Sequence, residues 1–459
     1  MKNKLLFGLL FFIEYLFSGE TISRIIGPGS NYYNYIDWDI PVSVHIIEID
    51  LTNPNIEIIT QKAKSKLIAR EKTSVMVQQT ETEGNIVIGA VNADFFYKDG
   101  KPVGLQIADG EILKNPQERA VFGLLEDKQL FIDILTFQGW LFTDNQVCEI
   151  NGINSNRGED DLILFNTYAG VSSNTNNWGY EISAQYLKKP MVNDTSWLVV
   201  TSKYEARGDL EIPGYGVVLS GHGMKEKFLR KFVEIGDTVK ILLELPPVKN
   251  RILEAISGGP KIIDKGRIKI DLRNENFTAG FSTTRHPRTA IGYNKEMTKV
   301  LLFVVDGRQN EYSMGMSLRD LAKFMINWGV YEGLNLDGGG SSTMYVRGEI
   351  VNKPSDSSGE RPVSNALMVL CNRYSDQVKY LNLAPKRLRL KVKSEFIFDV
   401  KIFDEYYNPL KEKEIRFISQ HPYGYFEPSG KFFSTDQTGS GYVYVECDGV
   451  RDSCWVIVE

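Results

Sequence analysis

Two aspartates, Asp306 and Asp337, each end a short apolar run and each open a turn. Asp306 begins Asp306-Gly307-Arg308, and Asp337 begins Asp337-Gly338-Gly339-Gly340-Ser341-Ser342. A pair of carboxylates is what glycoside cleavage commonly uses, one giving a proton and the other acting as base or nucleophile. Asp337 is assigned here as the base or nucleophile, and Asp306 as the acid or a cation ligand. Consecutive glycines let a backbone take positive φ and approach a ligand closely. The N–H groups of Gly338, Gly339 and Gly340 could point into one anion-binding concavity, with Ser341 and Ser342 adding hydroxyl donors. No lysine follows the glycines, so this is not a nucleotide P-loop. Arg288, Arg308 and Arg361 supply guanidinium forks, which grip phosphate oxygens in pairs. Asn92 and Asp94 end the apolar run Ile86–Val91 and precede Phe95-Phe96. Polar groups so placed must find partners or line a cavity.

Each feature has a plainer reading. The glycine turn could be a tight hairpin, the arginines could sit in surface salt bridges, and Asn92 could satisfy a turn. The combination favours a ligand. Serine or cysteine nucleophiles have little support, because no GxSxG occurs and no cysteine lies beside a histidine. His222 and His286 are loop histidines, His286 being two residues from Arg288.

These residues need a frame. Val300–Val305 reads as a buried strand running into Asp306, and Gly333–Leu336 as a second running into Asp337. Between them Ser317 opens a helix, with Asp320 three residues on. Leu318, Leu321, Ala322, Met325 and Ile326 form one apolar face, and Gly329 stops the helix. If the two strands run parallel in one sheet, both aspartates reach the same edge, where open sheets place ligands. Val42–Leu51 and Ile86–Phe96 read as strands and Thr73–Gly84 as a helix. The expected fold class is α+β: a mixed β-sheet core with packed helices over 30–375, and an embedded β-rich region over 137–247. A small all-β sandwich follows over 376–459, where strands and turns alternate without a helix.

The 459 residues allow two or three domains, and a charged fraction of 24% with 42% apolar residues is ordinary for a globular protein. A net charge of −5 argues against a nucleic-acid partner. Four cysteines without a CxxC pair, and only four histidines, give no zinc framework. Cys447 and Cys454 flank Asp448-Gly449, so a bridge and two buried thiols both stay open. Lys2 and Lys4, the apolar run Leu5–Phe17, and Ser18-Gly19 have the order of a secretory signal over 1–19, which predicts a secreted or cell-surface protein.

The stretch from Arg288-Thr289-Ala290-Ile291-Gly292 through Val305–Arg308 and Leu334–Ser342 to Asn352-Lys353-Pro354-Ser355 and Arg361-Pro362-Val363 resembles the phosphodiester glycosidase family. Asn92–Phe96, Gly104-Leu105, Asp109-Gly110 and Ser257-Gly258-Gly259-Pro260 fit as well. The resemblance covers about 41–370. It implies hydrolysis of a sugar-1-phosphodiester of the N-acetylglucosamine-1-phosphodiester type, in cell-wall or exopolysaccharide glycans. Asn92-Ala93-Asp94 departs from the Asn-Gly-Gly or Asn-Gly-Asp of many relatives. The C-terminal stretch resembles bacterial immunoglobulin-like modules, which implies association with a cell surface. The chemistry requires no cofactor, although calcium or magnesium could bridge Asp306 or Asp337 to phosphate. Two alternatives remain: a catalytically silent glycan- or teichoic-acid-binding module, and a metal-dependent phosphodiesterase that cuts the P–O bond.

Overall fold

The computed structural model describes residues 19–82, 84–205 and 207–459. The signal segment expected over 1–19 therefore lies, up to residue 18, outside the described residues. The α+β expectation is overturned: the described residues are mostly β, with 46% in strands and 9% helical, in four α-helices. The reason lies in how the apolar runs are covered. In Lys299–Val305, Val300, Leu302 and Val304 enter the central core, while Leu301, Phe303 and Val305 enter a second core on the other face. Continuous apolar strands suggest a sheet sandwiched by helices. Here one face is covered mainly by one helix and the other mainly by further strands.

That helix is Leu318–Asn327, and its Ser317 cap accepts from the Asp320 N–H at 3.2 Å. Gly329, with φ +84°, follows its end. Leu318, Leu321, Ala322, Phe324 and Met325 are buried in the second core.

The main eight-stranded sheet runs Glu20–Gly27, Ser30–Asp37, Val42–Asp50, Lys299–Val305, Arg288–Tyr293, Glu332–Asn335, Lys261–Asp264, Arg267–Ile268. Every neighbouring pair in it is antiparallel. Lys299–Val305 and Glu332–Asn335 do run the same way, but Arg288–Tyr293 lies between them, antiparallel to both. The ends of those two strands and the start of the middle one thus share an edge. Asn92 ends a strand of a second sheet, ordered Glu349–Ile350, Met344–Val346, Ile86–Asn92, Asn365–Cys371, Ile56–Lys62. A third, five-stranded sheet holds Gln106–Ala108, Ala120–Leu125 and Ile252–Ser257. Residues 138–244 contribute another eight-stranded sheet, with the helix Gly223–Phe232 against it.

From Tyr380 onward the described residues form strands only, in sheets of two, four and three. Gly439–Cys447 and Val450–Val458 make a hairpin whose turn, Asp448-Gly449, has positive φ at both residues. Its register sets Cys447 against Val450 and Cys454 against Val443, so the thiols do not face each other, and both are free. This region meets the rest through Arg347. Its guanidinium donates to Ile26 O of the first hairpin, to Asn408 Oδ1 at 2.9 Å and to Tyr406 O at 3.3 Å. Asp404 braces the Asn408 turn, accepting from Ser375 N, Tyr406 N, Asn408 N and Asn408 Nδ2 at 2.8–2.9 Å.

Asp404→Ala strands several of those buried donors, and is expected to cost about 2–4 kcal/mol. The loss should show as early melting of residues 376–459 in hydrogen exchange, with turnover of a small soluble substrate retained.

Candidate active site

The site grows from one backbone junction. Asp337 leaves the strand Glu332–Asn335 and is held on both sides by the Asn92–Ala93 segment. Its N–H donates to Ala93 O at 2.8 Å, and its carbonyl accepts from Asn92 Nδ2 at 2.6 Å. Asn92 Oδ1 in turn accepts from Thr289 Oγ1 at 2.8 Å and from Thr343 N at 3.1 Å. Asn92 is thus a strut joining two sheets, with both its side-chain oxygen and its side-chain nitrogen bonded within the protein. Asn365 fixes the next residues, since its Oδ1 accepts from Asp94 N at 2.9 Å.

Asp94 and Asp337 are thereby brought together, two carboxylates 243 residues apart in sequence. Asp94 is buried. Its Oδ2 accepts from Gly104 N at 2.8 Å, while its Oδ1 has no partner. Glycine is needed at 104, because a side chain there would collide with Ser257. Burial pushes the Asp94 carboxyl up to about 7; Gly104, Lys114 and Arg119 oppose this, and the Asp337 charge adds to it. Burial also pushes Asp337 up to about 6, against the pull of Ser341, Arg361, the Gly338 N–H and Arg119. Lys114, bonded to Val103 O, is lowered by burial to about 8.

Part of the glycine turn is closed on itself. Gly339 N donates to Pro287 O, Ser341 N to Gly338 O and Ser342 N to Gly339 O, so these N–H groups close the turn. The glycines also make room for guanidinium groups. A side chain at Gly339, where φ is +65°, would stand 2.9 Å from Arg308 Nη2, and one at Gly340 would overlap Arg361 and Asp356. Arg308 is exposed and has no hydrogen bond or ion pair among the described residues. Arg361 holds Asp356 through two bonds at 2.7 and 2.8 Å and reaches Ser341 Oγ at 3.5 Å. Ser342 Oγ is hydrogen-bonded to Thr289 Oγ1 at 3.2 Å. Arg288 is buried and committed: it donates to Met316 O, Phe281 O and Thr284 O at 2.8–3.1 Å and lies over the Phe281 ring.

Asp306 reaches the same sheet edge, but its carboxylate is already filled. It is bonded to His45 Nε2 at 3.1 Å, Tyr312 OH at 2.9 Å, Asn352 Nδ2 at 3.0 Å and Lys353 N at 3.0 and 3.1 Å. It shapes the Asn352–Lys353 loop, and a cation there would have to displace these donors. Among the described residues no cluster of three His, Cys, Asp or Glu side chains could hold a metal ion. His286 lies near Arg288 and Arg308, and burial together with their charge lowers its pKa. His222 stands just before the helix Gly223–Phe232, which lies against the sheet of residues 138–244.

The sequence reading missed Arg119. It follows the polar loop Asn115–Glu118, and nothing in its spacing sets it apart. Its guanidinium lies over Phe277 at 4.4 Å and Phe95 at 5.1 Å, and its Nη1 is buried without a partner. Asn365, Lys114 and His45 were missed too. Only Asn365 carried a signal, as a polar residue starting the apolar run to Cys371.

A sequence model of the phosphodiester glycosidase family matches residues 199–370. The mouse N-acetylglucosamine-1-phosphodiester alpha-N-acetylglucosaminidase is 32% identical over 121 residues, 24% of this chain and 23% of the relative. The matched stretch is thus about a quarter of that relative's length. Among solved structures, a hypothetical protein from Synechocystis shares the fold with a TM-score of 0.58 and 19% identity, over 75% of this chain and 62% of that one. A Burkholderia pseudomallei protein does so with a TM-score of 0.52 and 20% identity, over 72% and 74%. The segment 199–370, which carries Arg288, Asp306, Arg308, Asp337 and Arg361, is thus the part of the chain that matches the phosphodiester glycosidase family model.

Proposed function

We propose that the protein hydrolyses a sugar-1-phosphodiester of the N-acetylglucosamine-1-phosphodiester type, with Asp94 and Asp337 as its working carboxylates. The observation that carries this is the pair itself. Two carboxyls meet at converging strand ends, both raised, with a free oxygen on one and uncommitted guanidinium groups nearby. Groups of one type whose environments separate their pKa values divide naturally into acid and base. Asp94, the higher, donates a proton to the departing phosphate oxygen. Asp337, the lower, acts as base or nucleophile at the anomeric carbon. The C1–O bond breaks, water supplies the new hydroxyl at C1, and guanidinium charge stabilises the phosphate that leaves. Asp306 acts through the loop it shapes. The reading extends to an exported protein acting on cell-wall or exopolysaccharide glycans, with residues 376–459 as an immunoglobulin-like surface-association module. The N-terminal residue order and the helix-free C-terminal region support that extension.

Hydrolysis in heavy-oxygen water tests the bond cut. Label in the sugar is expected, whereas label in the phosphate would make the protein a phosphodiesterase. No turnover on a panel of sugar-1-phosphodiesters would leave a binding module.

The rate should follow a bell in pH. As pH falls through about 6 Asp337 gains a proton and the base is lost; as pH rises through about 7 Asp94 loses its proton and the acid is lost. A kcat/KM profile measured from pH 4 to 9 should therefore peak between those values.

Asp94→Asn and Asp337→Asn should each lower kcat by at least about 100-fold. Asp94→Asn should remove the alkaline limb, and Asp306→Asn should keep both limbs while losing stability. Because the folded-state pKa of Asp94 is raised, its stabilising contribution is present at acid pH and lost as pH rises through about 7. Asp94→Asn should accordingly melt higher than the parent at pH 8, a gain that shrinks toward pH 4.

A further inference from the structure

Four strands of the C-terminal region lie side by side in the order Arg387–Leu390, Val450–Val458, Gly439–Cys447, Arg416–Ile418. Side chains along a strand alternate between the two faces of its sheet. On one face Val443, Val445, Cys454, Val456 and Val458 are buried in the core of that region, with Leu388, Leu390 and Phe417 packed against it. The other face is turned to solvent. We propose that this outer face docks a phosphate-bearing glycan chain, with guanidinium groups on the phosphates and aromatic side chains on the sugar rings between them. The proposal rests on the surface-association reading of residues 376–459 and gives that region a ligand. It draws on no residue of the candidate active site.

Charge is the first argument. The outer positions of these strands hold four exposed arginines, Arg387, Arg389, Arg416 and Arg451, in a chain whose net charge is −5. Against them the same positions set one carboxylate, Glu446, and Glu459 follows the last strand. Arg451 is bonded to Glu446, and Arg389 lies 3.4 Å from Glu459. Arg387 and Arg416 make no hydrogen bond or ion pair among the described residues. These two free forks stand on the two border strands, which at a spacing of about 4.8 Å per strand lie about 14 Å apart. Guanidinium forks take phosphate oxygens in pairs and stay charged. Register supplies the second argument. Trp455 lies between Arg387 and Tyr442 across the sheet, and Tyr444 lies beside Ile418. Tyr442 is 48% exposed. Its ring meets Trp455 edge-on at 4.8 Å and Tyr444 at 6.2 Å, and Arg451 lies over Tyr444 at 5.6 Å. The aromatic cluster thus fills the span between the free arginines. A pyranose ring has an apolar C–H face and a polar rim, which tyrosine and tryptophan meet with ring and polar tip. The border strands have only four and three residues, so they offer little edge for a peptide strand to join. Anions set apart by neutral rings match the pattern of the face. Phosphate is favoured over carboxylate because the proposed substrate is itself a phosphodiester-linked glycan, so one polymer is both held and cut.

The test measures binding of phosphorylated dextran to the full chain, since that polymer contains no sugar-1-phosphodiester and is not consumed. Unmodified dextran and carboxymethyl dextran of equal total charge are measured beside it. Phosphorylated dextran should bind about fivefold more tightly than carboxymethyl dextran, and plain dextran more weakly than either. Its binding should weaken as salt rises from about 50 to about 300 mM. Arg387→Gln, Arg416→Gln and Tyr442→Ala should each weaken it by about five- to tenfold, with unchanged melting temperatures. Arg207→Gln alters an exposed arginine elsewhere and should change it less than about twofold. Equal binding of carboxymethyl dextran, equal losses in Arg207→Gln, or full affinity in all three face variants would overturn the proposal. Turnover of N-acetylglucosaminyl methyl phosphodiester should be the same in the face variants as in the parent. If the parent does not cleave that diester while the binding pattern holds, the glycosidase reading fails and the docking assignment stands. If the diester is cleaved and phosphorylated dextran does not bind, the docking assignment fails on its own.

Discussion

The site depends on a single backbone lock. Asp337 is gripped through its N–H by Ala93 O and through its carbonyl by Asn92 Nδ2, and Asn92 is itself bonded to Thr289 and Thr343. Both sheets end at this point, and neither alone could fix the relation between them. Because the lock is made of short polar contacts in a buried place, it tolerates little displacement. It sets Asp94 and Asp337 near each other without any bond between the carboxyls themselves. Their chemistry can then be tuned by burial while their spacing is decided by backbone.

Three buried aspartates, Asp306, Asp404 and Asp94, show how similar residues take opposite tasks. Asp306 is surrounded by hydrogen-bond partners on both carboxylate oxygens. Asp404 is in the same condition beneath the C-terminal region. Asp94 receives one N–H and is otherwise left short. A carboxylate with all its donors is inert and holds structure together. One with too few is ready to trade a proton. Burial is common to all three, so the number of donors is what separates a brace from a reagent.

Much of this was written in residue types and spacing. The Ser317 cap, the apolar face of the helix it opens, the strands leading to Asp306 and Asp337, and the Asp448-Gly449 hairpin could all be read locally. Their shared sheet edge followed from direction alone. What could not be read was the neighbour between the two strands, because Arg288–Tyr293 enters the sheet from earlier in the chain. The fold class was misjudged for a related reason: an apolar strand does not reveal whether a helix or another sheet covers it. Within the site, Asp306 and Asp94 have similar sequence settings, each at the end of an apolar run. The partners of the Asp306 carboxylate come from His45, Tyr312, Asn352 and Lys353, whereas the Asp94 carboxylate receives only the Gly104 N–H. Arg119 was invisible because an arginine in a polar loop looks like any surface arginine until Phe95 and Phe277 close around it.

Arg347 has a consequence for how this architecture can change. One guanidinium answers to the first hairpin and to the turn at Asn408, while burial lowers its pKa to about 10. A foreign C-terminal module grafted in place of residues 376–459 would have to bring its own oxygen acceptors to the same spot, or leave a cation stranded at the seam. The junction therefore acts as a compatibility check between segments. Recombination across it should succeed mainly among modules that carry an acceptor equivalent to Asn408, so the two parts are expected to be inherited as a matched set.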